Sequence, residues 1–157
     1  MEIKKLNEMF DVLKSRPKKR LVAAYAMDDH TICAVNDAVD NGLIDATLIG
    51  DPARIAEVCK AEGIDINKFN IVEEKDDVKA AALACDLINR GEGDILMKGL
   101  LPTDKYMRAI LNKERGLCPP NVTLAHVAVI ENPNYHKLLV ASDCAIIPLP
   151  DLKQKQT

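Results

Sequence analysis

The chain has very few aromatic residues: two Phe, three Tyr and no Trp among 157 residues. Proteins that bind single-stranded nucleic acids stack the bases on aromatic side chains, so the composition argues against that class. The formal net charge of -3 also argues against a general polyanion-binding protein, which needs an excess of Lys and Arg. We therefore expect no nucleic-acid partner.

Several common site motifs are absent. The five cysteines are an odd number, widely spaced and without a Cys-x-x-Cys pair, so neither a disulfide framework nor a zinc site is indicated. There is no Walker loop and no Gly-x-Gly-x-x-Gly, which argues against nucleoside triphosphates and dinucleotides as ligands. Asp28, Asp29 and His30 are contiguous and do not converge on one ion by themselves, so we predict no metal site.

Long apolar runs are missing as well. None approaches the roughly 20 residues of a membrane-spanning helix, and the N-terminus leads into an amphipathic segment rather than an apolar signal core. That segment, with Leu6, Phe10 and Leu13 at helical spacing, predicts a first helix that stops at Pro17. We expect a cytoplasmic protein with no membrane partner, one domain over residues 1–152 and a polar tail at 153–157.

Short, continuously apolar runs alternate four times with helical patterns. Continuous runs are typical of parallel strands with both faces covered, whereas half-exposed strands alternate in polarity. We therefore predict an α/β fold, a three-layer α/β/α sandwich with a mostly parallel sheet. The predicted strands are 21–26, 46–50, 70–73 and 94–99; the helices after them begin near Thr31, Asp51, Val78 and Thr103, the last running to about Glu114; further apolar runs lie at 123–130 and 137–141.

In open parallel sheets, ligands bind beyond the carboxyl ends of the strands. Four loops of this kind can be identified from the sequence. They are residues 27–30, 50–52, 98–103 and 142–144.

The loop at 98–103 is the most informative of the four. It places Lys98, the flexible backbone at Gly99 and the helix N-terminus at Thr103 within a few residues, which predicts a site for an anion such as phosphate. The alternative for Lys98 is an exposed lysine paired with a carboxylate. Arg108 either forks onto a phosphate or carboxylate or lies free on the surface. His126, among apolar neighbours, is either a hydrogen-bonded core histidine or a ligand.

Five segments, taken in order, carry a family resemblance. They are VAAYA with DDH behind it (22–30), GLIDATLIGD (42–51), DILMKGL (94–100), YMRAIL (106–111) and HVAVIE (126–131). With these segments the chain resembles the N-terminal part of the phosphate acetyl/butyryltransferase family, and the phosphate butyryltransferases most.

The resemblance implies the first domain of an isocitrate/isopropylmalate dehydrogenase-like fold. It also implies reversible transfer of an acyl group between coenzyme A and inorganic phosphate, with CoA as a substrate and no separate cofactor. No catalytic residue is assigned by it. The residues that it implies in substrate or phosphate binding are Lys98, Gly99, Thr103, Arg108, His126 and Asp143.

The resemblance also implies that family members are longer and bind their substrates between two domains. The second domain is absent from this sequence, and Pro102 stands where a histidine is usual. We therefore expect a truncated acyltransferase, inactive alone, with acyl-CoA and phosphate as partners. We also expect a homo-oligomer, or pairing through the face that the second domain covers. The alternative hypothesis is a non-catalytic α/β module that binds a small anion or a partner chain.

Overall fold

The computed structural model describes residues 3–120, 122, 124–143, 146, 149, 151 and 152. The chain divides into two compact units. We call Pro17–Pro119 the sheet unit, and Met1–Arg16 with Pro120–Thr157 the hairpin unit. The predicted single domain over 1–152 stays a prediction, and the predicted tail at 153–157 lies outside the described residues.

Helices and strands alternate through the sheet unit, and the described part of the hairpin unit has one helix and two strands. In chain order they are α1 (Leu6–Lys14), β1 (Lys19–Ala24), α2 (Asp29–Asp40), β2 (Ile44–Gly50), α3 (Pro52–Ala61), a 3₁₀ turn (Ile66–Lys68), β3 (Phe69–Glu73), α4 (Asp77–Asn89), β4 (Ile95–Lys98), α5 (Thr103–Ile110), β5 (Val127–Ile130) and β6 (Leu139–Ser142).

The strands of the sheet unit form one parallel sheet in the order β3-β2-β1-β4. Val22, in the middle of β1, lies opposite Thr47 of β2 and Leu96 of β4. The chain steps outward from β1 to β3 on one side and then places β4 on the other side of β1. The strand order therefore reverses beside β1.

Alternate residues of β1 point to opposite faces of the sheet, and helices cover both faces. On one face Ala23 packs in a cluster with buried residues of α2 and α3, such as Ile32 and Ile55. On the other face Val22 packs in a cluster with Ala84 and other buried residues of α4. This arrangement confirms the three-layer α/β/α sandwich. Each large apolar side chain that is fully buried here contributes about 1.5–3 kcal/mol.

The helices that follow β1, β2 and β3 all begin with an aspartate N-cap. An aspartate precedes each helix, and its carboxylate accepts a hydrogen bond from a backbone N–H of the first turn. The bonds are Thr31 N to Asp28 Oδ2 (3.0 Å), Ala53 N to Asp51 Oδ1 (3.0 Å) and Lys79 N to Asp76 Oδ1 (2.9 Å).

The end of α3 shows why a glycine follows it. Gly63 has a φ of 67°, in the left-handed region that residues with a side chain avoid. This conformation lets the Ile64 N–H donate to the carbonyl of Cys59 at 2.8 Å, which closes the helix in a Schellman motif.

The helix α5 is shorter than predicted. It ends at Ile110, not near Glu114, because the side chain of Asn112 forms a turn of its own. The Asn112 Oδ1 accepts hydrogen bonds from the N–H groups of Glu114 (3.0 Å) and Arg115 (2.9 Å). An asparagine that bonds the following backbone in this way competes with helix continuation.

The last two apolar runs do not join the parallel sheet. They form the antiparallel pair β5–β6, with Val127 opposite Ser142 and Ile130 opposite Leu139. The predicted loop at 142–144 was therefore wrongly grouped with the strand ends of the parallel sheet, and Cys144 lies outside the described residues. In the described part of the chain, no helix has the length and apolar character needed to cross a membrane.

Candidate functional site

The candidate site lies where β1 and β4 end side by side in the parallel sheet. The strand order reverses at this point, and such a reversal leaves a crevice between the loops that leave the two strands. The loop after β4 carries Lys98, Gly99 and, at the start of α5, Thr103. Three of the predicted binding residues are thus placed at the edge where ligands of such sheets bind.

Gly99 brings the loop into backbone contact with the end of β1. Its N–H donates to the carbonyl of Ala24 at 2.9 Å, and the next N–H, of Leu100, donates to the carbonyl of Tyr25 at 2.9 Å. A Cβ at residue 99 would lie 2.4 Å from the Tyr25 oxygen and 2.8 Å from the Ala24 oxygen. Only glycine fits, and the two hydrogen bonds fix the loop.

Tyr25 is the residue of this site that the sequence analysis missed. Its φ is 57°, the left-handed region, which costs a non-glycine residue about 1–2 kcal/mol. The turn that it makes directs its carbonyl to the Leu100 N–H, and the next residue, Ala26, donates to the Ile49 carbonyl at 2.9 Å. The predicted strand 21–26 gave no signal of this turn, because apolar residues continue through it.

Lys98 braces its own loop. Its ammonium donates to the carbonyls of Leu101 (3.0 Å) and Gly99 (3.3 Å). Within the described part of the chain it has no carboxylate partner, so the alternative of a paired surface lysine does not apply. Two of the three N–H groups of an ammonium are engaged, which leaves one for a ligand.

The start of α5 lacks the aspartate N-cap that α2, α3 and α4 have. Its N-cap position is Pro102, and no side chain caps the helix. Thr103, the first helical residue, is exposed. Helix N-termini carry a partial positive charge and unbonded N–H groups, so this one is suited to an anion.

Arg108 lies further along α5 than Thr103. It lines a cavity of about 310 Å³ together with Val78 and Ala82 of α4. Neither Lys98, Gly99 nor Thr103 lines that cavity. The neighbouring Lys105 forms an ion pair of 2.6 Å with Asp77. The three predicted loop residues thus do not line the cavity of Arg108, although Asp104, the residue after Thr103, does.

A larger cavity, of about 550 Å³, is lined in part by Leu100 of this loop. Four carboxylates and one arginine line it: Asp28, Asp29, Glu57, Glu62 and Arg54. The arginine is already paired with Glu57 at 3.0 Å. This excess of negative charge repels a phosphate, so the cavity is a poor anion site. Among the described residues, no group of three His, Cys, Asp or Glu is arranged to hold a metal ion.

His126 and Asp143 lie together in the hairpin unit. The Asp143 N–H donates to the His126 carbonyl at 2.7 Å, and the His126 N–H donates to Asp143 Oδ1 at 3.4 Å. Asp143 has a φ of 58°, the left-handed region. The Nδ1 atom of His126 is buried and has no hydrogen-bond partner among the described residues. The hydrogen bond expected of a core histidine is therefore not observed at Nδ1, and the choice between a core histidine and a ligand stays open.

Comparison with known proteins identifies the family. The family model described as Phosphate acetyl/butaryl transferase matches residues 5–84, just over half of the 157 residues. The chain belongs to the phosphate acetyl/butyryltransferase family. The matched segment contains Tyr25 and ends before Lys98.

Two curated members of the phosphate acetyl/butyryltransferase family extend the similarity over the candidate site. The chain is 40% identical over 153 residues to a phosphate butyryltransferase of Clostridium acetobutylicum. The alignment covers 98% of this chain and 50% of that protein. It is 32% identical over 135 residues to a phosphate acetyltransferase of Rhizobium meliloti, with 86% of this chain and 42% of that protein covered. The chain spans about half the length of these relatives.

Solved structures within this group of enzymes share the fold of the chain. A phosphotransacetylase from Streptococcus pyogenes matches with a TM-score of 0.73 at 15% identity, over 90% of this chain and 52% of that one. A branched-chain phosphotransacylase from Enterococcus faecalis matches with a TM-score of 0.63 at 20% identity, over 82% and 43%. At these identities the likeness shows the fold alone.

Proposed function

We propose that this chain provides one wall of the active site of an acyltransferase of the phosphate butyryltransferase type, which interconverts acyl-CoA and phosphate with acyl phosphate and CoA. A phosphate oxygen attacks the thioester carbonyl carbon, the C–S bond breaks, and the CoA thiolate leaves and takes up a proton. The observation that carries the proposal is the braced loop at Lys98–Gly99, which leads into an uncapped helix N-terminus in a chain of this family.

In this proposal the loop binds the phosphate. We assign as its donors the first N–H groups of α5, the Thr103 hydroxyl and the remaining N–H of Lys98. Donors fixed before the substrate arrives favour the transition state, because no energy is spent on orienting them during the reaction. The close packing of Gly99 against Ala24 and Tyr25 supports such a fixed loop.

Three predicted residues outside the loop are given roles of their own in substrate binding: Arg108, His126 and Asp143. Arg108, in its own cavity between α4 and α5, binds a second anionic group of the substrates. A guanidinium suits phosphate and carboxylate because it presents a planar fork of donors. For His126 and Asp143, within the hairpin unit, the proposal keeps the substrate-binding role that the family resemblance implies.

We also propose that turnover requires the region corresponding to the other half of the curated relatives. The support is that the chain matches 50% and 42% of their lengths. This chain by itself then binds phosphate without catalysing transfer.

The test begins with phosphate binding, measured by calorimetry with inorganic phosphate. The Lys98→Ala and Thr103→Ala variants are compared with the wild-type chain and with Lys113→Ala, a control at an exposed lysine outside the loop. Loss of a charge-assisted hydrogen bond of about 1.5–3 kcal/mol lowers the affinity by roughly 10- to 150-fold in the loop variants and leaves the control unchanged. Equal affinities in all four proteins refute the proposed site.

Turnover is then measured with butyryl-CoA and phosphate, by following loss of thioester absorbance. The chain is assayed alone and joined to the unmatched half of the Clostridium acetobutylicum relative. We expect thioester loss only in the joined protein, and a strong decrease with Arg108→Ala. Absence of turnover in a folded joined protein that binds phosphate refutes the acyltransferase proposal.

A second candidate function is a non-catalytic module that binds a small anion or a partner chain. It is favoured by one observation: no described residue of the hairpin unit is buried. Phosphate binding with no turnover in the joined protein supports this candidate.

A further inference from the structure

The cavity of about 550 Å³ in the sheet unit has apolar walls as well as its charged residues. Three segments of the chain supply these walls: the turn after β1, the helix α3 and the loop after β4. The apolar lining residues are Met27, Val58, Ala61 and Leu100. Pockets for small molecules typically have volumes of about 300–1,000 Å³ and mostly apolar walls with a few polar groups. The cavity therefore has the size and lining of a small-molecule site.

The Met27 side chain is held in place before any ligand arrives. The Asp51 N–H donates a hydrogen bond to its Sδ at 3.0 Å. The side chain also occupies the space over Gly50, since a Cβ at residue 50 would lie 2.6 Å from the Met27 Cγ. A methionine is usually a flexible side chain, so these contacts turn it into a preformed apolar surface.

Leu100 connects this cavity to the proposed phosphate site. The Lys98 ammonium bonds the carbonyls of the residues on either side of it, Gly99 (3.3 Å) and Leu101 (3.0 Å). The Leu100 N–H donates to the Tyr25 carbonyl at 2.9 Å, which fixes its position. In acyl transfer to phosphate, the reacting oxygen and the acyl carbon lie about 3–3.5 Å apart, so the acyl chain lies directly beside the phosphate. A cavity with one wall in the phosphate-binding loop is placed to receive that chain.

The charges of the cavity restrict the part of the substrate that it can take. Its four carboxylates and single guanidinium leave three negative charges uncompensated. The phosphate groups of the substrates are anionic and are repelled. The chain of a simple acyl group is uncharged and apolar, so it is accepted, whereas an acyl chain that ends in a carboxylate is repelled as well. The smaller cavity, which contains Arg108, suits an anionic group instead.

We propose that the cavity lined by Met27, Val58, Ala61 and Leu100 binds the acyl chain of the substrate, and that its carboxylates exclude acyl chains that end in a carboxylate. The substrates are then uncharged aliphatic acyl groups. This inference rests on the proposed function, because the phosphate in the loop determines where the acyl carbon lies. Its own physical basis is the apolar lining and the charge of the cavity.

The first experiment measures, by calorimetry, the binding of ethylphosphonate and butylphosphonate to the full chain. In these stable probes the phosphonate group stands in for the phosphate and the alkyl chain for the acyl chain. Burial of two further CH₂ groups gives butylphosphonate a roughly 15-fold higher affinity than ethylphosphonate. Equal affinities of the two probes overturn the inference.

Filling the cavity locates the site of the alkyl chain. Ala61→Phe adds a ring at an exposed position of α3 that lines the cavity, so it leaves the core intact. We expect it to reduce the preference for butylphosphonate to about threefold or less and to leave the binding of inorganic phosphate unchanged. The matched control is Ala56→Phe, at an exposed residue of the same helix that does not line the cavity, and it keeps the full preference. Equal preferences in the two variants overturn the inference.

A third probe, 4-phosphonobutyrate, tests the exclusion of carboxylates, because it is butylphosphonate with a carboxylate in place of the terminal methyl group. At low ionic strength, where screening is weakest, we expect it to bind at least about tenfold more weakly than butylphosphonate. Glu57→Gln removes one carboxylate and releases Arg54 from an ion pair of 3.0 Å, so it narrows this difference by at least about threefold. A 4-phosphonobutyrate affinity equal to that of butylphosphonate in the wild-type chain contradicts the exclusion.

The outcomes separate this inference from the proposed function. Phosphate binding that Lys98→Ala weakens, together with no preference for the longer phosphonate, overturns the acyl cavity and leaves the proposed function in place. A preference for butylphosphonate that Ala61→Phe removes, together with no turnover in the joined protein, supports the cavity and refutes acyl transfer.

Discussion

Replacing Gly99 by alanine tests the packing on which the candidate site depends. The added Cβ lies 2.4 Å from the Tyr25 oxygen, and the closest neighbours are all backbone atoms at the end of β1. No side-chain rotation can relieve this contact, so the loop after β4 has to move away from β1. The movement disrupts the hydrogen bonds from Gly99 N to Ala24 O and from Leu100 N to Tyr25 O, each 2.9 Å long.

The magnitude follows from these contacts. Each lost hydrogen bond costs about 0.5–1.5 kcal/mol, and the strain of overpacking adds about 1–3 kcal/mol. We expect Gly99→Ala to lower the free energy of unfolding by about 2–6 kcal/mol. In a chain of this length that lowers Tm by roughly 4–24 °C. Urea and thermal unfolding followed by circular dichroism measure both, and hydrogen exchange at Leu100 reports the loop directly.

Gly63→Ala provides the matched control. It places an alanine at a φ of 67° with no atom within 4 Å of the new Cβ, so its cost comes from the backbone conformation alone. That cost is about 1–2 kcal/mol. If Gly99→Ala destabilises the protein no more than Gly63→Ala does, the steric argument is refuted.

Two further predictions concern titrating groups. Hydrogen bonds from Arg20 hold the pKa of the Asp94 carboxyl well below its usual range. The resulting stability is fully present above the unfolded pKa of about 3.9 and is lost as pH falls toward the lower folded value. The destabilisation by Asp94→Asn, measured by urea unfolding, should therefore be largest near pH 7 and shrink below about pH 4; a constant difference contradicts this. Burial raises the pKa of the Cys85 thiol to about 11, and Cys59 is buried too. A thiol reagent at pH 8 should modify these two only after unfolding, and labelling in the native protein, detected by mass spectrometry, contradicts this.

The three layers could be predicted from the sequence because strands that are buried on both faces appear in it as continuous apolar runs. Residues such as Val22 and Ala23 are apolar on both faces of β1, so the run is continuous and the covering helices can be inferred. The aspartate before α3 was equally clear, since Asp51 is followed by Pro52 at the first helical position.

Other features could not be predicted, because they depend on contacts between distant segments. Ala26 is fully buried like a strand residue, so nothing marks the left-handed turn at Tyr25 before it. Lys98 was predicted from its place at a strand end, yet its nearest partners are carbonyls of its own loop. The cavity that Arg108 lines with residues of α4 follows from the packing of α5 on α4, which spacing along the sequence does not show.

The unequal starts of the four helices that follow the parallel strands have a consequence for ligand competition. Asp28, Asp51 and Asp76 act as tethered anions, because each carboxylate is held covalently next to its own helix terminus and bonds a backbone N–H there. A free anion therefore meets three occupied termini and one at Pro102 without a tethered competitor. We expect Pro102→Asp to supply the fourth, and thereby to replace the proposed binding of a free anion by an intramolecular cap.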